Sequence, residues 1–436
     1  MSAHEVNRGL KDEAHQSLVG TQFEAQIGKV AHGGHFVTRY EGRVVFVRHA
    51  LPGETVRVQI TDGSEGDRFL LGDAVQVIVP SEHRVVPGCP LAGPGKCGGC
   101  DWQHSELSYQ RELKAAVVAE QFQRLAGLDV DVEVEALPGD TGGLRWRTRT
   151  EFAIDASGVA GLHRHHSREI IPGQDCLIST KRVIETGVLD RRWPMATSVD
   201  VVDASGETAA VTVPLPSRDS TIPHVTEQVD TGDWSAVFRL SARGFWQVHP
   251  QAAATFVAHV RQELAPQPGE RALDLYAGVG LFALALADAV GPAGAVLAIE
   301  SDAQAIVDAK SNLRLRPEIE LRRGKVDRVL KPLVRQGIRT DLVVLDPPRT
   351  GAGKSVIKDI AALAPRAIAY VACDPAALAR DVAYAKAAGY GVRSVHAFDA
   401  YPMTHHVECI AILEPLVPEP TVVTPGHDAQ GVGQDD

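Results

Sequence analysis

The chain has 436 residues, 44% of them hydrophobic, which predicts two or three folded domains and excludes wholesale disorder. Its formal net charge is -11, so any contact with RNA must rely on local basic patches rather than on the charge of the whole chain. The polar N-terminus is not expected to act as a signal peptide, and no apolar run approaches the ~18 residues that span a membrane, so a cytoplasmic protein without membrane contact is expected.

A small β-barrel is predicted near the N-terminus. Residues 1–16 are expected to be disordered, and the short β segments FEAQIGKV, RVVFVRH, TVRVQI and AVQVIV follow within 17–82, separated by turn signals. Such closely spaced segments predict an OB-like barrel. Barrels of this type bind single-stranded nucleic acid through basic and aromatic side chains, although a purely structural barrel fits the pattern equally well. The candidates for an RNA-facing surface are Lys29, Arg39, Tyr40, Arg43, Phe46 and Arg48.

Residues 83–235 are expected to form a β-rich central domain that contains four of the six cysteines. Cys89, Cys97 and Cys100 lie in the Pro- and Gly-rich stretch PGCPLAGPGKCGGC, and Cys176 follows far downstream. Because cytosolic thiols stay reduced, metal binding is favoured over disulfide formation. Four thiolates in such a setting bind zinc or an iron–sulfur cluster.

From about residue 236 to 418 the pattern changes to short apolar strands that alternate with helices. The predicted strands are ALDLYAG, AVLAIE, DLVVLD and AIAYVAC, and FALALADAV is one of the helices between them. This alternation predicts an α/β domain with a doubly wound, Rossmann-like parallel sheet. The last residues, 419–436, are expected to be a disordered tail.

A glycine-rich turn follows the first of these strands. Gly278 and Gly280 in DLYAGVG allow a ligand to approach the backbone closely, and Glu300 at the end of the next strand suits the hydroxyl groups of a ribose. The turn lacks the three-glycine dinucleotide pattern and no P-loop accompanies it, which disfavours NAD and ATP and favours S-adenosylmethionine. Asp346 in DPPR ends another strand at the same carboxyl edge, where ligands of such sheets bind.

Cys373 and Glu408 are candidates for a nucleophile and a base. Cys373 closes the strand AIAYVAC at the cofactor edge, and Glu408 lies in THHVEC. One reaction that needs both a thiol and a base is methylation of uracil at C5. C5 of uracil is a poor nucleophile, but addition of a thiolate at C6 turns the ring into an enolate whose C5 can attack a methyl group. A base must then remove the C5 proton before elimination frees the enzyme. Taken singly, a cysteine is more often a buried small hydrophobe, and a strand glutamate is more often solvated.

Several motifs within residues 238–414 together resemble those of the RNA uracil-5-methyltransferase family, of the TrmA/RumA type. FWQVHP is similar to the family motif F-x-Q-x-N-x, VACDPAALARD to its S-C-N-P-x-T-L-A-R-D nucleophile motif, and YPMTHHVE to its P-H-T-x-H-V-E base motif. DLYAGVG and DPPR match its cofactor and active-site motifs. Residues 17–80 resemble the TRAM domain, an RNA-binding OB-like barrel, and WRTRTEFAI resembles part of the family's central domain.

The resemblance implies roles for individual residues in methylation of C5 of a uridine. Cys373 would be the nucleophile and Glu408 the proton acceptor. The implied contacts with S-adenosylmethionine are Gln247, Tyr276, Gly278, Gly280, Glu300, Asp327 and Asp346. Four positions depart from the family pattern and bear on the contacts with substrate and cofactor: His249, Leu281, Asp374 and Met403. The family usually has Asn in place of His249 and Asp374, often Asn in place of Leu281, and His in place of Met403.

The resemblance also bears on the metal and on the RNA. The rRNA-directed branch of the family carries a [4Fe–4S] cluster on C-x5-C-x2-C and a distant cysteine, which implies a cluster on Cys89, Cys97, Cys100 and Cys176. The first gap is two residues longer here, and zinc is the alternative. The barrel and the cysteines favour 23S rRNA over tRNA as the substrate, and a monomer is expected. A non-catalytic RNA-binding iron–sulfur protein and an adenine amino-group methylase are the other functions considered; the intact nucleophile and base motifs argue against both.

Overall fold

The computed structural model describes residues 16–140, 142–216 and 222–416. The segments expected to be disordered, 1–16 and 419–436, lie outside these residues except for Gln16. None of the helices in the described ranges is long and apolar enough to span a membrane.

The N-terminal sheet has six strands, as expected for the barrel. They are β1 (Gln22–Gln26), β2 (Val30–Ala31), β3 (His35–Tyr40), β4 (Arg43–Arg48), β5 (Thr55–Asp62) and β6 (Phe69–Val79). The strands lie in the order β1-β5-β6-β4-β3-β2, and their pairing is antiparallel except between β4 and β6. Alternate residues of β5, Val56, Val58 and Ile60, are buried, because successive side chains of a strand point to opposite faces.

A long helix, α1 (Leu107–Ala126), connects the barrel with the C-terminal domain, and it ends where Gly127 adopts a φ of 60°. Leu113 and Val117 pack in the core of the barrel, whereas Phe122 packs in the core of the C-terminal domain. The helix therefore contributes to two cores. The short strand β7 (Val134–Ala136) follows it.

The central region contains a five-stranded sheet, in agreement with the β-rich domain expected from the sequence. Its strands are β8 (Arg149–Ile154), β9 (Ala160–His163), β10 (Ile170–Pro172), β11 (Ser198–Val202) and β12 (Val211–Leu215). They lie in the order β10-β9-β8-β11-β12, and the short helix α2 (Lys181–Glu185) interrupts them in sequence. A hairpin of β13 (His224–Asp230) and β14 (Ser235–Ser241) leads into the C-terminal domain.

The C-terminal domain is built on an eight-stranded sheet in the order β17-β16-β15-β18-β19-β21-β20-β7. Its other strands are β15 (Arg271–Leu275), β16 (Ala295–Glu300), β17 (Ile319–Arg323), β18 (Leu342–Leu345), β19 (Ala367–Ala372), β20 (Tyr390–Asp399) and β21 (Glu408–Pro415). Its helices are α3 (Ala252–Leu264), α4 (Leu281–Val290), α5 (Ala303–Leu313), α6 (Val326–Arg335), α7 (Gly353–Ala362) and α8 (Pro375–Ala387).

The first five strands of this sheet are parallel, and β21 runs antiparallel to β19 and β20. Strands β18 and β19 are buried along their whole length, because helices cover both faces of the sheet. These features confirm the doubly wound α/β fold. Strand β7, from the segment expected to be central, pairs in parallel with β20 and extends the sheet by one strand.

Candidate active site

Residues that the sequence singles out lie at the carboxyl ends of five neighbouring parallel strands. Tyr276 follows β15, Glu300 ends β16, Asp346 follows β18 and Cys373 follows β19. Asp327 lies in the first turn of α6, after β17. Since the strand order is β17-β16-β15-β18-β19, these residues form a row along one edge of the sheet, where ligands of such folds bind.

The turn after β15 is built on unusual backbone conformations. Tyr276, Gly278 and Gly280 have positive φ values of 64°, 54° and 94°. A Cβ atom on Gly280 would lie 3.0 Å from the side chain of Leu313, so the close approach of α5 requires glycine at this position. Glu300 fixes the turn, because its Oε2 accepts a hydrogen bond from the N–H of Gly278 at 2.9 Å.

Two neighbouring acids along this edge act on the ionisation of Asp274. Asp274 is 1% exposed and accepts a hydrogen bond from the N–H of Ala283 at 2.7 Å. Burial, together with the charges of Asp346 and Glu300, raises the pKa of Asp274 to about 7. Burial also raises the pKa of Asp346 to about 7. Because a positive charge would stabilise both carboxylates, this edge suits a cationic ligand.

The segment between β14 and α3 contains Gln247, whose side chain is buried. The N–H and the hydroxyl group of Thr148 both donate to the carbonyl of Val248 at 2.9 Å, which ties this segment to the central sheet. The ring of His249, which stands where the family usually has Asn, stacks with Trp146 at a centroid distance of 6.3 Å. Burial lowers the pKa of His249 to about 4, so this imidazole is neutral near pH 7.

Cys373 and Glu408 come together at the ends of two antiparallel strands. Ala372, the last residue of β19, pairs with Cys409 in β21, which brings Cys373 and Glu408 next to each other. Glu408 is 2% exposed, and the hydroxyl group of Tyr401 donates a hydrogen bond to its Oε2 at 3.3 Å. Glu408 therefore has a fixed orientation beside the thiol.

Both of these groups favour their neutral forms in the absence of ligands. Burial raises the pKa of the Cys373 thiol to about 12, and the charges of Glu408 and Asp346 add to the shift. Burial likewise raises the pKa of Glu408 well above its usual range, with a further contribution from Asp346. Arg349 acts in the opposite direction on both groups. A cationic ligand at this edge would favour the thiolate and the carboxylate in the same way.

The barrel loop between β2 and β3 reaches the cavity in front of Cys373. His32 Nε2 lies 3.1 Å from Asp374 Oδ2, while Asp374 Oδ1 accepts a hydrogen bond from the N–H of Ala377 at the start of α8. The sequence signal HGGH indicated only a turn, so sequence reasoning missed His32. The residues that line the cavity are His32, Gly33, Gly34, Trp102, Val117, Arg349, Cys373, Asp374, Pro375, His405, His406 and Val407.

The segment that joins β20 to β21 is held by polar residues of α1. The buried ammonium group of Lys114 pairs with Asp399 at 2.5 Å and donates to the carbonyl of Tyr401 at 3.1 Å. Gln110 accepts a hydrogen bond from the N–H of Met403 at 2.9 Å. Sequence reasoning missed Lys114 and Gln110, because polar residues on a helix usually face solvent and no local signal marks these two as buried.

Asp101, next to Cys100 in sequence, connects the barrel with this segment. Asp101 Oδ2 lies 2.7 Å from His405 Nδ1, and Oδ1 lies 3.3 Å from a guanidinium nitrogen of Arg48 in β4. Although burial opposes ionisation, hydrogen bonding from His405 and the charge of Arg48 hold the pKa of Asp101 well below its usual range. Arg48 was one candidate for an RNA-facing surface, but its side chain is buried in this ion pair.

The four cysteines of the central region line one cavity. Among the described residues, no three of the Sγ atoms of Cys89, Cys97, Cys100 and Cys176 lie within 4.8 Å of one another. Cys97 Sγ accepts a hydrogen bond from the N–H of Gly99 at 3.4 Å, and burial raises the pKa of Cys100 to about 12. The arrangement places four potential sulfur ligands around one cavity.

Two family models match the chain. The model described as tRNA (Uracil-5-)-methyltransferase matches residues 220–415, which include the nucleophile and base motifs. The model of the TRAM domain matches residues 16–75, which include β1 to β5 and the first part of β6. Together the two models cover most of the N-terminal barrel and the C-terminal α/β domain.

Similar proteins span nearly the whole chain. A protein of Streptomyces coelicolor named as an uncharacterized RNA methyltransferase is 47% identical over 92% of this chain and 94% of its own length. A protein of a Shewanella species named 23S rRNA (uracil(1939)-C(5))-methyltransferase RlmD is 29% identical over 89% of this chain and 94% of its own length. Among solved structures, the Pyrococcus abyssi tRNA (uracil-54, C5)-methyltransferase in complex with S-adenosyl-L-homocysteine has the same fold, with a TM-score of 0.65 and 21% identity over 90% of this chain and all of that chain.

Proposed function

This chain belongs to the tRNA (uracil-5-)-methyltransferase family and carries a TRAM domain, and we propose that it methylates C5 of one uridine through a covalent bond between Cys373 and C6 of the base. The chain is an S-adenosylmethionine-dependent RNA (uracil-5-)-methyltransferase, which is the activity of its family. The main support for the covalent route is the pairing of β19 with β21, which brings Cys373 and Glu408 together at the sheet edge that also carries Asp346.

In the proposed reaction, the thiol of Cys373 first loses its proton to solvent. Its sulfur then forms a bond to C6 of uracil, and the electron pair of the C5=C6 bond moves to give an enolate. Arg349 is the basic side chain that favours the thiolate against the effect of burial. S-adenosylmethionine would supply the methyl group: C5 of the enolate would bond to the methyl carbon while the sulfonium–carbon bond breaks and S-adenosylhomocysteine leaves. C5 then carries both a methyl group and a hydrogen.

Glu408 accepts the C5 proton in the next step. The electron pair of the C5–H bond restores the C5=C6 bond while the C6–S bond breaks, which returns Cys373 as a thiolate. A buried carboxylate is a strong base, because taking up a proton removes a charge from a poorly solvated site. His406 also lines the cavity, but burial lowers its pKa to about 3 and makes it a weaker base than Glu408.

The carboxyl edge of the sheet supplies the proposed contacts with S-adenosylmethionine. This cofactor carries positive charge on its sulfonium and amino groups, which fits an edge where Asp274 and Asp346 have raised pKa values. Glu300, at the end of β16, stands where acids of such folds bind ribose hydroxyl groups. The proposed contact residues are Gln247, Tyr276, Gly278, Gly280, Glu300, Asp327 and Asp346.

We propose that the four cysteines hold a [4Fe–4S] cluster, with a single zinc ion as the alternative. Zinc bound by four thiolates has bonds of about 2.3 Å, which puts the sulfur atoms about 4 Å apart. The Sγ atoms are more widely spaced here, since no three lie within 4.8 Å of one another. Four irons spread their ligands over a larger space, so the spacing supports a cluster.

The protein purified without oxygen is expected to be brown, to absorb broadly in the visible and to contain equal amounts of iron and sulfide. Cys97→Ser should lose the iron and destabilise the central domain, because a metal site formed only in the folded state contributes its binding energy to folding. A colourless protein that holds one zinc ion per chain would favour the alternative.

We propose 23S rRNA as the substrate, rather than tRNA. The support is the similarity to the rRNA methyltransferase of Shewanella, which extends through the cysteine-containing region. The test is to map 5-methyluridine in the rRNA and tRNA of a strain that lacks the gene, and to restore the gene with and without Cys373→Ala. Loss of one rRNA modification, restored only by the intact gene, is expected. Loss of a tRNA modification with unchanged rRNA would assign the enzyme to tRNA.

A further inference from the structure

Two histidines and a glutamate converge where α3 packs near β20. His259 and Glu263 are four residues apart in α3 and therefore lie on the same face of the helix. His396 belongs to β20, and its ring centroid lies 4.2 Å from that of His259. One potential ligand atom of each side chain lies within 4.8 Å of the other two.

Existing hydrogen bonds leave ligand atoms of this group free. His259 Nε2 is buried and has no hydrogen-bond partner. Arg393 donates to Glu263 Oε2 at 2.7 Å, whereas no hydrogen bond to Glu263 Oε1 occurs in the described part of the chain. A buried, unpaired nitrogen is unfavourable, and a bound cation would give this nitrogen a partner.

The surroundings of the group carry net negative charge. Arg393 also pairs with Glu414 at 2.6 Å, and Glu135 Oε1 lies 4.0 Å from His396 Nδ1. The carboxylates of Glu135, Glu263 and Glu414 thus outnumber the one guanidinium group. At 4.0 Å from His396, Glu135 is beyond hydrogen-bond distance and contributes only its charge.

We propose that His259, Glu263 and His396 form a site for Zn²⁺, separate from both the four cysteines and the methyl-transfer site. Two imidazole nitrogens and one carboxylate oxygen are a ligand set that zinc accepts, with water in the fourth position. The ion connects α3 with β20. Strand β20 ends at Asp399, two residues before Tyr401. The role of the ion is to stabilise the packing of this helix on the strand.

The test uses the full chain with its cysteine site loaded under anaerobic conditions, titrated with Zn²⁺ and then desalted. The wild type should retain one zinc ion per chain beyond any metal on the cysteines. His259→Gln and His396→Gln should each weaken zinc binding by more than about 100-fold, because even residues that only orient ligands contribute about 10- to 100-fold. His224→Gln is the matched control, since His224 also lies on a strand and pairs with a helical carboxylate, that of Asp308.

Cobalt distinguishes this site from the cysteines. Co²⁺ at a nitrogen and oxygen site gives weak visible bands without the thiolate-to-cobalt charge-transfer band in the near ultraviolet. The difference spectrum on adding Co²⁺ should therefore lack that band in the wild type and lose its visible bands in the two histidine variants. Failure of the wild type to retain zinc would overturn the proposal however the variants fold. Undiminished zinc binding by both His259→Gln and His396→Gln would overturn it as well.

Discussion

The acidic side chains of the active site and the Cys373 thiol ionise less readily than usual in the absence of a bound cation. Burial raises the pKa of Asp274, Asp346, Cys373 and Glu408, and the charge of Asp346 adds to the shifts of the other three. A positively charged methyl donor stabilises the ionised forms of all four. Binding of the cofactor and activation of the thiol are therefore linked by charge.

At the scale of single residues, we expect the affinity for S-adenosylmethionine to increase as the pH rises from about 6 to 8. Asp274 and Asp346 have pKa values raised to about 7, so their attraction for a cation is weak below that pH and complete above it. Calorimetry in buffers of different ionisation enthalpy should also detect proton release on binding. S-adenosylhomocysteine, which lacks the sulfonium charge, is the control and should show a smaller pH dependence. An affinity that falls with pH would contradict this account.

His32 should contribute to catalysis although it belongs to the barrel. His32→Ala removes the 3.1 Å contact with Asp374, the residue after the nucleophile, and opens the cavity. We expect kcat/KM for RNA to fall about tenfold, consistent with about 1.4 kcal/mol for one hydrogen bond to a charged group, with unchanged affinity for S-adenosylmethionine. His83→Ala is the control, since His83 pairs with Glu106 outside the cavity. Equal effects of the two changes would assign His32 a merely structural role.

The sequence was sufficient to predict that Cys373 and Glu300 lie at the same edge, because each ends an apolar strand of a parallel sheet. It could not reveal His32, Lys114 or Asp101. Each of these residues meets its partner only through the folding of distant segments, and nothing in the local pattern distinguishes it from a solvated polar residue.

At the scale of elements, α1 is the structural link between the barrel and the catalytic domain. Its apolar residues serve two cores, and Lys114 and Gln110 hold the segment that carries Tyr401. The sequence predicted the doubly wound sheet, since its buried strands and helices alternate regularly. It could not show that β7, only three residues long, completes that sheet, because so short a strand is defined by its pairing with β20.

Lys114→Met should destabilise the protein by about 3 kcal/mol, because removal of one partner leaves the buried carboxylate of Asp399 with only Arg111 to compensate it. Urea denaturation followed by the near-ultraviolet signal measures the change. Lys29→Met is the matched control: the ammonium group of Lys29 pairs with Glu120 on the surface, and its loss should cost less than about 1 kcal/mol. Similar effects of the two substitutions would mean that the buried pair does not anchor the segment.

At the scale of the whole molecule, three regions meet at the cavity in front of Cys373. The barrel supplies His32, the catalytic sheet supplies the proposed nucleophile, and Asp101, beside the cysteine Cys100, binds both Arg48 and His405. If the proposed metal is bound at the cysteines, its loss should loosen contacts that reach His405 through Asp101. The chain as a whole is acidic, so we infer that RNA is positioned by local contacts near this junction rather than by overall charge.

The most direct test of the central claim compares Glu408→Gln, Cys373→Ala and the wild type on target RNA with a labelled methyl donor, followed by denaturing electrophoresis. Glu408→Gln can still form the C6–S bond and transfer the methyl group, but it cannot remove the C5 proton. We predict that turnover falls by about 10²- to 10⁴-fold in this variant while a labelled, RNA-linked protein band accumulates. Cys373→Ala should give neither product nor band. Near-normal turnover by Glu408→Gln without a labelled band, or methylation by Cys373→Ala, would contradict the account.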